Sequence, residues 1–278
     1  MRLSQYVLPA FSSVTAVLAS SPSNATTPPE NWGVALFDSF DSIDVFGPLN
    51  PLGYLAFALQ LNLALIAPSL LPVWVEPIDP ALNEQNSSFW FSVNPTHTYS
   101  NPPQDIEVLL IPGGPGSTMG DVDEVIAFVK KTYPSLKYLI TTCTGAGIAA
   151  RAGVLDGKRA TTNKKAWKTV TAMGPDVKWV SPARWTIDGN IWTSSGVSNP
   201  QILRFAAHND YEQVTSGLDL IFAFIEEVYG TTYAKDLQGT IEFNRVKDAF
   251  RTCPSYFGPL YCTKSHQETD TIIPILAR

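Results

Sequence analysis

The residues YLITTCTGAGIAARAG, numbers 138–153, contain an abrupt change of residue type. The apolar, β-prone run 138–142 stops at Cys143, and small helix-compatible residues follow at once, which predicts a strand that passes directly into a helix. At such a corner the unpaired N–H groups and the positive end of the helix dipole favour thiolate over thiol. The pattern predicts a nucleophile elbow with Cys143 as the candidate nucleophile; a small cysteine buried beneath the helix is the alternative.

The chain around the elbow alternates between apolar runs and helical segments. Short apolar runs of this kind are typical of strands buried on both faces of a sheet. The alternation predicts an α/β sandwich with a mostly parallel central sheet. The predicted strands are 32–37, 61–67, 106–111, 138–142, 158–162, 177–182 and 184–193. One predicted helix begins at Pro48, and four others cover residues 122–133, 166–173, 215–229 and 241–250.

Functional sites in such sheets form beyond the carboxyl ends of the strands. The loop that follows Phe37, the pair Gly113-Gly114 and Cys143 all lie at predicted strand ends. We therefore expect these three segments to converge on one cleft.

The composition excludes several classes of protein. The 278 residues are 45% hydrophobic and 16% charged, which is enough for one sizeable core and does not require two domains. A net charge of −6 without Lys/Arg runs argues against nucleic-acid binding. The most apolar window, 54–75, is interrupted by Gln60, Asn62 and two prolines, so it predicts a buried helix and strand rather than a membrane span.

The N-terminal region predicts export. Residues 1–19 combine an early arginine, an apolar stretch and small residues at the end, as in a secretory signal peptide; a disordered or core-packed N-terminus is the alternative. Residues 20–31 read as a Ser/Thr/Pro linker. The glycosylation sequons at Asn24 and Asn86 agree with a secreted, extracellular protein.

The C-terminal extension, residues 231–278, contains two of the three cysteines. Cys253 and Cys262 have a spacing that a small disulfide loop closes in an oxidising compartment. Cys143 then remains unpaired, either buried or reactive.

Four motifs in a fixed order together resemble the ThiJ/PfpI branch of the class I glutamine amidotransferase-like superfamily, and within it the isonitrile-hydratase-like members. The resemblance extends over residues 32–230 and implies a flavodoxin-like three-layer α/β fold, often dimeric, that uses no metal and no organic cofactor. The motifs are LFDSFDSIDVFGP at 36–48, IPGGPG at 111–116, TTCTGAGIAARAGVLDGKRATTN at 141–163, and GNIWTSSG at 189–196 with SGLDLIFAFIEEVYG at 216–230.

The resemblance assigns roles to particular residues. Cys143 matches the nucleophile, Asp44 the acidic residue that faces its sulfur, and Thr144 the adjacent threonine. The N–H groups of the Gly113-Gly114 loop and of Thr144 match an oxyanion-binding site, which stabilises charge that develops on a substrate. A turn or helix-capping carboxylate is the alternative for Asp44, and plain turn residues are the alternative for the glycines.

The chain departs from the proteolytic relatives. Those proteins carry a histidine directly after the nucleophile, where this chain has Thr144, and another branch has Thr-Thr-His where this chain has Thr-Thr-Asn163. The three histidines, His97, His208 and His266, lie outside the motifs. Missing base chemistry therefore argues against peptidase activity.

Residues 197–213 interrupt the last motif. Joining Gly196 to Val214 restores the continuous sequence TSSGVTSGLDLIFAFI, and the ends of the segment can be encoded by splice-site-like triplets. The segment is either a surface insertion, which loops tolerate well, or a translated intron.

The expected function is a cofactor-free, cysteine-dependent hydratase or hydrolase that acts on a small electrophilic molecule such as an isonitrile. A glyoxalase- or deglycase-like enzyme and a non-catalytic secreted binding or redox-sensing module are the alternatives. The expected partners are a small-molecule substrate and a second copy in a homodimer.

Overall fold

The computed structural model describes residues 27–196 and 216–250. The predicted signal peptide, the linker up to residue 26, the segment 197–213 and the tail from residue 251 onward lie outside this part of the chain.

A seven-stranded sheet forms the centre of the molecule, and two two-stranded sheets accompany it. The strands are β1 (Asn31–Ala35), β2 (Asn62–Ala67), β3 (Val73–Trp74), β4 (Ser92–Val93), β5 (His97–Thr98), β6 (Val108–Ile111), β7 (Tyr138–Thr141), β8 (Arg159–Ala160), β9 (Lys178–Trp179), β10 (Trp185–Asp188) and β11 (Ile191–Ser194). The order in the central sheet is β10-β11-β7-β6-β1-β2-β5, and every neighbouring pair is parallel except β10 with β11. The mostly parallel sheet predicted from the alternating pattern is confirmed.

Helices cover the sheet in two groups. They are α1 (Ser42–Leu55), α2 (Gly116–Met119), α3 (Asp123–Thr132), α4 (Gly145–Arg151), α5 (Trp167–Thr171), α6 (Ser216–Val228) and α7 (Thr231–Thr240). Helices α1, α6 and α7 pack on one another, whereas α2, α3 and α5 pack around α4. The molecule therefore has the three-layer, flavodoxin-like α/β architecture that the resemblance implied. Within residues 27–196 and 216–250, no helix combines the length and apolar character needed to cross a membrane.

Phe224 of α6 anchors its helix layer to the sheet. Its ring meets Trp32 of β1, Tyr138 of β7 and Trp192 of β11 edge-on, with ring centroids 4.9 to 5.4 Å apart. Edge-to-face contacts of this kind add about 0.5–1.5 kcal/mol each beyond the burial of apolar area. These residues lie near the starts of their strands, whereas Cys143 follows the end of β7, so the cluster attaches α6 to the part of the sheet away from the candidate site.

Helix α1 begins at Ser42, six residues before the predicted start at Pro48. The carboxylate of Asp41 caps it by accepting a hydrogen bond from the N–H of Ile43, at 3.2 Å. Asp44 therefore lies in the first turn of the helix and is not the capping residue. Prolines inside the helix misled the sequence interpretation, because proline is commonest at a helix start.

The helix predicted over residues 241–250 is wrong. The helix in this region is instead α7, which ends at Thr240. Its buried residues, Ala234 and Leu237, are three positions apart and lie on one face of the helix. The following segment is held in non-helical form by a tertiary hydrogen bond from the N–H of Val246 to Asp219, at 2.8 Å. Packing against α6 thus overrides the local helical preference of this polar stretch.

Candidate active site

Cys143 occupies a sharp turn between β7 and α4. Its φ of 55° is in the left-handed region, where a residue other than glycine pays about 1–2 kcal/mol. Two hydrogen bonds hold this backbone: Cys143 N–H donates to the carbonyl of Ser194 at 3.1 Å, and the hydroxyl of Thr162 donates to the carbonyl of Cys143 at 2.8 Å. The strand-to-helix corner predicted from the sequence is present.

Glycines allow two other loops to lie directly against the cysteine. A Cβ atom added to Gly113, after β6, would stand 2.6 Å from the Cβ of Cys143, and one added to Gly196, after β11, would stand 2.3 Å from it. Neither distance is possible between real side chains. The approach of the Gly113-Gly114 loop to Cys143 was expected, whereas that of Gly196 was not predicted, and together the two loops leave Cys143 only 6% exposed.

Helix α1 brings Asp44 to the same place. The side chain is 1% exposed, and its Oδ2 accepts a hydrogen bond from the N–H of Gly113 at 3.0 Å. The carboxyl lies beside the nucleophile, because a Cβ atom added to Gly113 would stand 2.8 Å from its Oδ2 and 2.6 Å from the Cβ of Cys143. The second carboxyl oxygen, Oδ1, has no hydrogen-bond partner among the described residues. Asp44 thus combines one fixed oxygen with one that is available for chemistry.

Pro48 helps to attach α1 to the elbow. A proline has no N–H, so the carbonyl four residues earlier, that of Asp44, loses its helical partner. The hydroxyl of Thr142 donates to that carbonyl instead, at 3.3 Å. The residue before the nucleophile is therefore tied to the backbone of the acidic residue.

Burial dominates the electrostatics of the pair. It raises the pKa of Asp44 well above the usual value, and the nearby charge of Asp41 raises it further, against the lowering effects of the Gly113 N–H and the Cys143 thiol. The pKa of Cys143 is also raised well above that of an ordinary thiol, first by burial and then by the charges of Asp44 and Asp41. The N–H of Thr144 and the amide of Asn163 act in the opposite direction.

The resting nucleophile is therefore a thiol. The sequence argument expected the helix end to favour the thiolate, and that expectation is wrong for this state. The helix contributes the N–H of Thr144, but burial and two carboxylates outweigh it. A proton must leave the sulfur during the reaction, and Asp44 is the acidic group beside it.

The predicted oxyanion donors have partners within the protein. The N–H of Gly113 is directed at Asp44, and the N–H of Gly114 donates to the hydroxyl oxygen of Thr144 at 2.9 Å. That oxygen also accepts a hydrogen bond from Ser117 at 2.7 Å, a contact that the sequence analysis missed. In this structure these amides position the acid and the threonine, and their role in oxyanion binding stays a prediction.

Asn163 also reaches the nucleophile. Its Nδ2 donates to the sulfur of Cys143 at 3.3 Å. The sequence analysis noted this residue only as a departure from Thr-Thr-His, although its place in that motif was the signal that would have identified it. The neighbouring Lys164 is buried, and burial lowers the pKa of its amine to about 7.

The remaining predicted residues lie away from this cluster or outside the described chain. His97 is on the edge strand β5, separated from β7 by β6, β1 and β2. Asn86 is exposed, as an acceptor of a glycan must be. Asn24, Cys253, Cys262, His208 and His266 lie outside the described residues.

Known proteins resemble this chain in sequence. Residues 34–207 match the DJ-1/PfpI family. The chain is 25% identical over 213 residues to the isonitrile hydratase of Pseudomonas putida, which corresponds to 76% of this chain and 77% of that protein.

Solved structures show the same fold. A ThiJ/PfpI family protein from Pseudomonas syringae superimposes with a TM-score of 0.61 at 25% identity, over 79% of this chain and 77% of that one. DJ-1beta of Drosophila melanogaster gives a TM-score of 0.57 at 15% identity, over 78% and 99% of the two chains, and shows the likeness of fold alone. Because the family match spans more than half of the residues and includes both Asp44 and Cys143, the chain belongs to the DJ-1/PfpI family.

Proposed function

We propose that the protein is a cysteine-dependent hydratase that adds water to an isonitrile and releases an N-substituted formamide. The observation that carries the proposal is the buried carboxyl of Asp44 beside Cys143, with an Oδ1 that has no hydrogen-bond partner among the described residues. An isonitrile carbon must gain both a proton and a nucleophile, and this pair supplies both. The similarity to the isonitrile hydratase of Pseudomonas putida supports the same substrate class.

The first step joins the substrate to the enzyme. The sulfur of Cys143 attacks the terminal carbon of R–N≡C, and Asp44 delivers a proton to the same carbon. Asp44 recovers a proton from the thiol, so that the S–H bond has been added across the carbon. The product of this step is a thioimidate, R–N=CH–S–Cys143.

The second step consumes water. The water oxygen adds to the thioimidate carbon, and one of its protons moves to the nitrogen. The C–S bond then breaks, R–NH–CHO leaves, and the hydroxyl proton returns through Asp44 to the sulfur. A carboxyl with a raised pKa suits this exchange near neutral pH, because a general acid–base group works best when its pKa is close to the working pH.

The N–H of Gly113 determines which carboxyl oxygen exchanges the protons. Its hydrogen bond to Oδ2 keeps that oxygen in place and leaves Oδ1 as the reactive atom. Any side chain at position 113 would collide with Cys143, the backbone of Thr144 and Asp44, so the glycine is required by the packing.

The test is formamide production from a panel of alkyl and aryl isonitriles, followed by NMR. The full chain should hydrate at least one of them, and Cys143→Ala should abolish the reaction. A matched control, the double variant Cys253→Ala/Cys262→Ala, should retain it because Cys143 is intact. No turnover of any isonitrile by the full chain would overturn the proposal, and turnover of methylglyoxal instead would favour the glyoxalase- or deglycase-like alternative.

We also propose that the protein acts outside the cell. The exposed sequon at Asn86 and the signal-like N-terminus support export. Protein from a eukaryotic secretory host should lose mass on treatment with an N-glycosidase, and Asn86→Gln should reduce that loss. An unmodified protein retained in the cells would contradict the proposal.

A further inference from the structure

The amide of Asn163 has one determined orientation. Its Oδ1 accepts hydrogen bonds from the N–H groups of Lys165 and Ala166, at 2.9 and 3.0 Å. Exchanging the amide oxygen and nitrogen would set two donors against these N–H groups, so the NH₂ group must point at the sulfur of Cys143. The contact at 3.3 Å is therefore one in which Asn163 donates and the sulfur accepts.

We propose that Asn163 is a catalytic residue that stabilises the negative charge of the Cys143 sulfur during attack on the substrate. The role of Asn163 in catalysis rests on the proposed hydratase function. Its stabilisation of the Cys143 thiolate does not depend on which substrate the protein uses. A hydrogen bond to a charged acceptor is roughly twice as strong as one between neutral groups. The amide therefore favours the thiolate that the reaction needs over the thiol that the resting site holds.

A neutral donor suits this site. Asp44 and Asp41 already oppose a negative charge on the sulfur, and Asp44 must exchange protons freely. A cationic donor beside the sulfur would also attract the carboxylate of Asp44 and hinder its protonation. The amide does not ionise in the range where proteins are folded, so its support for the thiolate is independent of pH and leaves the acid unaffected.

The segment that carries Asn163 is fixed to the elbow. The hydroxyl of Thr162 donates to the carbonyl of Cys143 at 2.8 Å. The buried amine of Lys164 donates to the carbonyl of Thr162 at 3.0 Å and to the hydroxyl of Thr161 at 2.6 Å. Residues on both sides of Asn163 are thus held in place, and a preorganised donor needs no rearrangement as charge develops.

Two substitutions separate the role of the Asn163 NH₂ group as a donor to the sulfur from the role of Oδ1 as an acceptor of backbone N–H groups. Asn163→Ser keeps an oxygen that can accept from the following N–H groups, but the shorter side chain lacks the NH₂ group. Asn163→Asp keeps the shape and both accepted hydrogen bonds, and replaces the donor with a carboxylate oxygen. Thermal unfolding should change little in either variant.

The measurement is the rate of iodoacetamide alkylation of Cys143 at several pH values, read by mass spectrometry of its peptide, on the full chain. Removing the donor should raise the thiol pKa by about one unit, which lowers the rate at pH 8 about 10-fold in Asn163→Ser. Asn163→Asp should be slower still because of charge repulsion. Isonitrile hydration by both variants should fall in the same order.

The outcomes distinguish this inference from the proposed function. Slower alkylation in the variants, together with a wild-type protein that hydrates no isonitrile, would support the role of Asn163 toward the sulfur and reject the hydratase. Wild-type alkylation rates in the folded Asn163→Asp variant would overturn the inference, whatever the protein does with isonitriles.

Discussion

Two aspartates occupy matching positions in the molecule. Asp44 lies in the first turn of α1 and Asp219 in the first turn of α6, and each is at most 1% exposed. Asp219 faces the guanidinium of Arg184 and the N–H of Val246. Asp44 faces an N–H and a thiol, and one of its oxygens has no partner among the described residues.

The difference shows that the partners of a buried carboxyl, rather than its position, decide its role. A buried carboxylate that is paired with a guanidinium keeps its charge and holds two segments together. A buried carboxyl without a cation has a raised pKa and exchanges protons. The first arrangement attaches the segment after α7 to the domain, and the second makes Asp44 the acid of the candidate active site.

Substituting Asp44 should have the largest effect, and it should reduce activity without reducing stability. Asn keeps the oxygen that accepts from Gly113 but cannot exchange a proton, so we expect Asp44→Asn to slow isonitrile hydration by up to about 10⁴-fold. The melting temperature should stay the same or rise. A variant that retains more than about a tenth of the wild-type rate would show that Asp44 is not the acid.

Substituting Asp219 should instead affect stability. Asp219→Asn removes the carboxylate from the guanidinium of Arg184, and losing one partner of a buried ion pair costs about 3–5 kcal/mol. Urea unfolding followed by tryptophan fluorescence measures this loss. Introducing Arg184→Met into the same chain should recover part of it, and an additive further loss would contradict the pairing.

The pH dependence of stability should reveal the raised pKa of Asp44. Because the folded-state pKa of Asp44 is raised, the folded chain binds more protons than the unfolded chain above about pH 3.9, the usual value for aspartate. The contribution of this residue to stability is therefore complete at low pH and is lost as the pH rises through the folded-state pKa. Relative to Asp44→Asn, the wild type should lose stability as the pH rises above about 4, and a constant difference would contradict the raised pKa.

The smallest effect concerns the link between α1 and the elbow. Thr142→Val preserves the shape of the side chain but removes the hydrogen bond to the carbonyl of Asp44, which is worth about 1 kcal/mol. The hydration rate should fall several-fold as the acid becomes less well positioned. Adding Pro48→Ala, which supplies a helical N–H for the same carbonyl, should cause little further loss of rate; a full second loss would show that the two residues act separately.

Local patterns predicted the framework of this site. The elbow at Cys143 and the buried strands depend on short runs of residue types, and these were identified correctly. The pairing of Cys143 with Asp44 came from the motif resemblance, because no periodicity relates residues so far apart in the chain. The start of α1 was missed because Asp41 caps the helix before two prolines that normally mark a beginning.

Tertiary contacts account for what the sequence did not reveal. The contacts of Asn163 with the sulfur and of Ser117 with Thr144 join separate loops. The position of Asn163 in the Thr-Thr-Asn motif marked it without revealing its contact, and Ser117 belongs to no pattern that requires its role. The protonation state of Cys143 was misjudged for the same reason. The helix end is local to the cysteine, whereas the burial and the carboxylates that raise its pKa come from distant parts of the chain.

The left-handed backbone of Cys143 also has an evolutionary consequence. Glycine adopts this conformation without strain, so at a φ of 55° it would relieve about 1 kcal/mol. Cysteine and glycine codons differ by a single nucleotide, which makes that relief easily accessible to mutation. A lineage that had ceased to use the sulfur would be expected to drift to glycine at this corner.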